Sequence, residues 1–80
     1  MNSLKKQLYK YVNNPMDPSI NFDLGLEYEN IGQTAAALSF YLRCAELTDD
    51  KTVAYESILK THKCVAKQTR RPVWEQEQLI

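Results

Sequence analysis

Apolar residues recur along this chain at three- and four-residue intervals, the spacing that places side chains on one face of an α-helix. The first such segment predicts a helix from Ser3 to about Asn13. Pro15 and Pro18 follow it closely, and prolines with the residues before them disfavour a continued helix. The apolar positions of this first helix are Leu4, Leu8, Tyr11 and Val12.

Capping residues predict a second and a third helix. Asp17 can accept hydrogen bonds from the free N–H groups of a first turn, and Pro18 suits the first helical position. Gly32 predicts the end of the second helix, because glycine readily adopts the left-handed conformation found there. The third helix is predicted from Thr34, as its N-cap, to about Thr48. The predicted inner positions are Leu24, Tyr28 and Ile31 on the second helix and Leu38, Tyr41, Leu42 and Ala45 on the third.

Gly25 lies inside the second predicted helix, where glycine costs about 1 kcal/mol relative to alanine. A helix accepts that cost most readily where another backbone comes close. Three small residues, Ala35, Ala36 and Ala37, open the third helix. We therefore predict a tight antiparallel hairpin in which Gly25 faces these alanines.

A fourth helix is predicted from Lys51 to about Lys67, capped by Asp49-Asp50. Pro72 predicts the start of a short final helix that runs to Ile80. The fold is therefore predicted to be all-α, with four to five antiparallel helices. The apolar positions of the fourth helix are Tyr55, Ile58, Leu59, His62, Val65 and Ala66.

The pattern Leu24-Gly25-x-x-Tyr28, followed by Ala37-x-x-x-Tyr41, resembles the tetratricopeptide repeat (TPR), a helical hairpin with a 34-residue period. Cys44 stands where that family usually has alanine, Asn21 replaces its leading aromatic residue, and Asp49 replaces its closing proline. The resemblance implies a short TPR-like solenoid with an N-terminal helix and linker (1–16), a full repeat (17–50) and a partial, divergent repeat (51–80). The repeat-packing residues are then Leu24, Gly25, Tyr28, Gly32, Ala37, Tyr41 and Cys44. The run from Asn21 to Glu46 is also similar to TPR segments of glycosyltransferases predicted in marine bacteria and their phages.

The same resemblance implies a groove, because the first helices of successive TPR repeats line a surface that holds an extended peptide. The groove residues are then Phe22, Leu26, Glu29 and Asn30 from the first repeat and Val53, Glu56, Lys60 and Lys63 from the second. Alternatively, the N-terminal helix packs over Phe22 and Leu26 through Leu4 and Leu8 and fills this groove. Because a few repeats do not bury their faces alone, we also predict a homo-oligomer, most simply a two-fold pair. Its predicted contacts are Val73, Trp74, Leu79 and Ile80.

Charge is unevenly distributed although the net charge is zero. Four acidic and no basic residues lie between Asp17 and Glu29, whereas five basic and no acidic residues lie between Lys60 and Arg71. The basic stripe could hold phosphates, nucleic acid or the acidic helix of a neighbouring copy. It could equally offset a helix dipole, and because no aromatic residues interleave with it, nucleic acid is the less favoured partner.

Little in the sequence indicates catalysis. No motif of metalloprotease, redox, serine-hydrolase or phosphate-loop type occurs, and His62, the only histidine, is predicted at a core or half-buried position. Cys44 and Cys64 lack metal or redox spacing and are predicted to be small buried residues, which indicates a reducing, cytoplasmic location. No apolar run reaches about 18 residues, and no signal peptide is recognised. We expect no catalytic residue, cofactor, metal or membrane contact.

These observations favour a non-catalytic, self-associating protein-protein interaction module. An alternative is an accessory TPR arm, or a shortened relative, of a glycosyltransferase or another enzyme. A less favoured alternative is a helical protein that binds phosphate or nucleic acid through its basic stripe.

Overall fold

A computed structural model describes residues 3–68 of the chain, which form α-helices joined by short turns. The helices are α1 (Ser3–Asn13), α2 (Pro18–Asn30), α3 (Thr34–Leu47) and α4 (Lys51–Gln68). No strand occurs within this range. The predicted all-α fold is therefore confirmed, with each helix boundary within a residue or two of its prediction. The predicted final helix, Pro72 to Ile80, and the predicted oligomer contacts Val73, Trp74, Leu79 and Ile80 lie outside the described residues.

The ends of α2 are formed as predicted. One carboxylate oxygen of Asp17 accepts hydrogen bonds from the backbone N–H groups of Ser19 (2.9 Å) and Ile20 (3.4 Å). Gly32 has a φ of +80° and donates its N–H to the carbonyl of Glu29 at 3.0 Å. A left-handed glycine at this place closes the helix and reverses the chain.

The start of α3 differs from the prediction by one residue. Gln33, not Thr34, is the N-cap, and no side chain makes a capping hydrogen bond there. The N–H of Gln33 bonds the carbonyl of Tyr28 at 2.9 Å, so the reversal is complete before Thr34, which is already helical. At α4, the predicted cap is present: the Asp50 carboxylate accepts the N–H of Thr52 at 2.9 Å.

Each helix packs mainly on the one before it along the chain. The short turn folds α3 back on α2 as a hairpin, and α4 packs on α3. The ring of Tyr11 on α1 meets the ring of Phe40 on α3 edge-on, with 5.4 Å between centroids. The fully buried hydrophobic residues are Leu24, Ala37, Tyr41, Cys44 and Cys64, so the core lies between α2, α3 and α4.

The close neighbour of Gly25 is the ring of Tyr41, and the predicted contact with Ala35, Ala36 and Ala37 is wrong. A Cβ atom added at Gly25 would lie 2.6 Å from Cδ1 and 2.9 Å from Cζ of Tyr41, and all three of its nearest atoms belong to that ring. The reason is the hairpin itself. Residues at similar distances from an antiparallel turn face each other, so Gly25 meets the middle of α3 and not its first turn.

The predicted inner face of α4 is also wrong. Tyr55, Ile58, Leu59, His62, Val65 and Ala66 are all exposed. Ser57 and Cys64 are buried instead, and the Ser57 hydroxyl donates a hydrogen bond to Sγ of Cys44 at 3.1 Å. Helix α4 therefore turns its small residues toward α3, because this allows a close approach of the two helices. Three other predicted inner residues, Val12, Ile31 and Leu42, are exposed as well.

Candidate functional site

A cleft of about 160 Å³ lies between the first halves of α2 and α4. Three of the predicted groove residues, Phe22, Val53 and Glu56, line it together with Ser19 and Asp23. Ser19 and Asp23 were not predicted, although their spacing from Phe22 along α2 places them on the same helical face. No residue of α1 is among the described residues that line the cleft.

Equivalent positions of the two helices meet in this cleft. Val53 lies 34 residues after Ser19, and Glu56 lies 34 residues after Phe22. The cleft is thus formed where the same turn of two helices, one repeat period apart, faces a common space. This relation is independent of the individual side chains and describes how α4 is placed beside α2.

The remaining predicted groove residues do not line the cleft. Leu26 is half-buried and packs against the core cluster of Ala37, Tyr41 and Cys64. Asn30 is exposed at the end of α2, and Lys60 (half-buried) and Lys63 (exposed) lie farther along α4. Their distribution is set by helix length, since each turn advances about 5.4 Å away from the cleft.

Glu29, another predicted groove residue, binds the core instead. The Tyr41 hydroxyl donates a hydrogen bond of 2.7 Å to Oε1 of Glu29. Burial, together with this hydrogen bond to a carboxylate, raises the pKa of Tyr41 well above its usual range. Tyr41 is therefore a neutral donor that ties α3 to the last turn of α2.

The floor of the cleft is apolar and rigidly supported. The Phe22 ring packs on the Tyr41 ring with 5.5 Å between centroids and 59° between planes. Val53 is half-buried opposite, and the carboxylates of Asp23 and Glu56 are exposed at the edge. The arrangement offers a small apolar surface flanked by two negative charges.

Asn21 is a buried polar residue whose partners the sequence did not reveal. Its Nδ2 donates to the carbonyls of Pro15 (3.1 Å) and Asp17 (2.8 Å), and its Oδ1 accepts from Nε of Arg43 at 3.2 Å. The Arg43 guanidinium also lies 5.8 Å from the centroid of the Tyr11 ring. Asn21 thus joins the linker before α2 to α3. A lone amide on an apolar helix face was the available signal.

The titratable groups of the core are not arranged as a nucleophile and base. Burial raises the pKa of the Cys44 thiol, against the opposing effect of the hydrogen bond from Ser57. A buried thiol with a raised pKa is a weak nucleophile, because the reactive form is the thiolate. His62, predicted as core or half-buried, is exposed, since α4 packs through a different face.

The predicted basic stripe is described only in part. Lys60 and Lys63 lie on α4, whereas Arg70 and Arg71 lie outside the described residues. A second basic surface, which the sequence did not single out, borders an open cavity of about 520 Å³. Its described residues are Lys5, Lys6, Tyr9 and Lys10, all on α1.

Two searches of the described residues gave negative results. Among residues 3–68, no group of three or more histidine, cysteine, aspartate or glutamate side chains is placed to hold a metal ion. Within the same part of the chain, every helix is too short or too polar to cross a membrane.

Comparison of the chain with protein-family models, with curated proteins and with solved structures found no match. The similarity to the TPR pattern therefore rests on the residues that carry it, and it enters below as part of a proposal.

Proposed function

We propose that this chain is a non-catalytic protein-protein interaction module of the TPR type, which binds a short segment of a partner protein in the α2–α4 cleft and also self-associates. The observation that carries the proposal is the cleft itself. It lies between two helices that are one 34-residue period apart, where a TPR module would bind a peptide. Ser19 and Val53, and likewise Phe22 and Glu56, are equivalent positions that line it together.

The dimensions of the cleft favour one side chain of an extended segment over a free small molecule. Pockets for small ligands usually enclose about 300–1,000 Å³, whereas this cleft has about 160 Å³. Phe22 and Val53 offer apolar contact, so the anchoring side chain is apolar. Asp23 and Glu56 add negative charge at the edge. The ligand class is therefore a peptide with an apolar residue next to lysine or arginine.

The interaction role also covers the alternative derived from the second resemblance. If the chain is an accessory arm or shortened relative of a glycosyltransferase, the bound segment belongs to that enzyme or to its substrate protein. The chemistry of recognition is the same in both cases. The chain is proposed to position a partner and not to transform one.

The proposal is tested by selecting peptides from a displayed random library on the intact chain and measuring their affinities by calorimetry. We expect the selected peptides to share an apolar residue beside a basic one. The charge reversal Asp23→Lys should weaken their binding about tenfold, because it places like charges at the edge of the cleft. Glu46→Lys is the matched control, since Glu46 is exposed on α3 and does not line the cleft.

Two results contradict the proposal. One is that no peptide binds the intact chain more tightly than the library background. The other is that Asp23→Lys and Glu46→Lys weaken binding equally, which would show a general charge effect and no use of the cleft.

A further inference from the structure

One face of α4 exposes large apolar side chains. Tyr55 is 65% exposed, Ile58 46% and Leu59 43%, and His62 lies exposed on the same side of the helix. These four residues are called the α4 apolar face below. At 100° per residue they lie opposite the cleft residues Val53 and Glu56 and away from the buried residues Ser57 and Cys64. The face is therefore separate from both the cleft and the core.

The equivalent face of α2 is covered by another helix. The four positions that lie 34 residues before the α4 apolar face are Asn21, Leu24, Gly25 and Tyr28. Asn21, Leu24 and Gly25 are fully buried and Tyr28 is half-buried. The covering element is α3, whose Tyr41 lies against Gly25. The α4 apolar face thus corresponds to a surface that binds a helix elsewhere in the same molecule.

The sequence after α4 does not repeat the covering surface of α3. The buried residues of α3 are Ala37, Tyr41 and Cys44. The residues 34 positions later are Arg71, Glu75 and Gln78. Charged and amide groups at those positions would lose their hydration on contact with an apolar face, which is costly without hydrogen-bonding partners. An element from outside the chain is therefore the better cover.

The α4 apolar face is self-complementary in charge. Glu56 and Lys63 are both exposed, and both lie along the edge of the face that Leu59 occupies. If two copies of α4 cross in antiparallel orientation between Leu59 and Lys60, Glu56 of one copy lies opposite Lys63 of the second copy, and symmetry repeats the pair. A parallel arrangement would set Glu56 against Glu56. The pattern thus favours an isologous, closed pair.

We infer that the α4 apolar face docks a second copy of this chain through the same face, in an antiparallel two-fold pair. The inference rests on the self-association part of the proposed function and replaces its predicted contacts with a different surface. Leu59 lies nearest the two-fold axis, with Ile58 and His62 on either side. The face of a single helix is smaller than the roughly 800 Å² per partner of a standard interface. The pair should therefore be weak, with a dissociation constant of about micromolar.

The first test is sedimentation velocity on the full chain over a concentration series from about 1 to 200 μM, a range that brackets micromolar association. We expect a monomer–dimer equilibrium. Leu59→Lys should raise the dissociation constant at least tenfold, because it brings two lysines together near the axis. Val12→Lys is the matched control: Val12 is 77% exposed on α1, and its substitution should leave the equilibrium unchanged.

The second test is a charge exchange. Glu56→Lys and Lys63→Glu should each weaken the dimer, because each sets like charges opposite each other twice. The double variant Glu56→Lys/Lys63→Glu restores opposite charges and should return the dissociation constant to that of the unmodified chain. A double variant as weak as the single ones would overturn the antiparallel arrangement.

A chain that stays monomeric at every concentration would overturn the inference. If Leu59→Lys then shifted the fluorescence of Trp74, the only tryptophan, the occupant would be the chain's own C-terminal residues. A dimer that Leu59→Lys leaves intact would also overturn it, because the interface would lie elsewhere. Asp23→Lys, which tests the cleft, should leave the dimer unchanged, so the two proposals fail independently.

Discussion

Replacing Gly25 by alanine tests the closest contact of the hairpin. Gly25 is buried in the middle of α2, and an added Cβ would lie 2.6 Å from Cδ1 of Tyr41. That separation is shorter than any ordinary carbon–carbon contact, for which the optimum is about 3.5–4.0 Å. Either the Tyr41 ring or the helix axis must therefore move.

Two opposing terms set the size of the effect. Alanine gains about 1 kcal/mol over glycine from helix propensity. Overpacking a well-packed core costs about 1–3 kcal/mol. The upper part of that range applies, because Tyr41 is fully buried and is held by its 2.7 Å hydrogen bond to Glu29 and by the Phe22 ring. We expect Gly25→Ala to lower the free energy of unfolding by about 1–2 kcal/mol.

The assay is urea unfolding followed by circular dichroism, in a double-mutant cycle with Tyr41→Leu. With the ring removed, Gly25→Ala should become stabilising by up to about 1 kcal/mol, because only the propensity term remains. Gly32→Ala is the matched control. Gly32 has a φ of +80° and nothing within 4 Å of an added Cβ, so alanine there costs about 1 kcal/mol through the backbone alone.

The reasoning is refuted if Gly25→Ala stabilises the unmodified chain by the full propensity term. It is also refuted if the effect of Gly25→Ala is the same with and without the Tyr41 ring. Gly32→Ala must give the same cost in both backgrounds, since it does not contact Tyr41.

Two further predictions concern polar groups around the start of α2. Asn21→Ala should cost about 2 kcal/mol in urea unfolding, because it leaves buried hydrogen-bonding groups without their partner. Asn13→Ala, which removes one exposed bond, should stay within about 0.5 kcal/mol, and equal losses would contradict this reading. The hydrogen bond from the Ser19 hydroxyl, with those from backbone N–H groups, lowers the pKa of Asp17. Its carboxylate therefore stabilises the fold above the ordinary pKa of about 3.9, and the contribution is lost as the pH falls through the lower folded-state pKa. The stability advantage of the chain over Asp17→Asn should shrink in acid, and a constant difference across that range would argue against it.

The sequence by itself determined where each described helix begins and ends. Asp17 and Pro18, Gly32, and Asp50 act on hydrogen bonds and backbone angles within a few residues of themselves. Such local interactions do not depend on what a helix later packs against, which is why α1 to α4 lie close to their predicted bounds. The turn at Gly32 also determined the hairpin, because two helices joined by a short turn must run antiparallel.

Only the tertiary structure decided which side of each helix is buried and what each inner residue meets. The fourth helix illustrates this: its periodicity pointed to Tyr55, Ile58 and Leu59, yet Ser57 and Cys64 are buried. Periodicity records that a helix has an apolar side, but small residues set how closely two helices approach, and burial follows that approach. Likewise Gly25 met a tyrosine ring and Asn21 an arginine, because contacts between distant segments depend on helix placement. The cleft between α2 and α4 arises from the same placement.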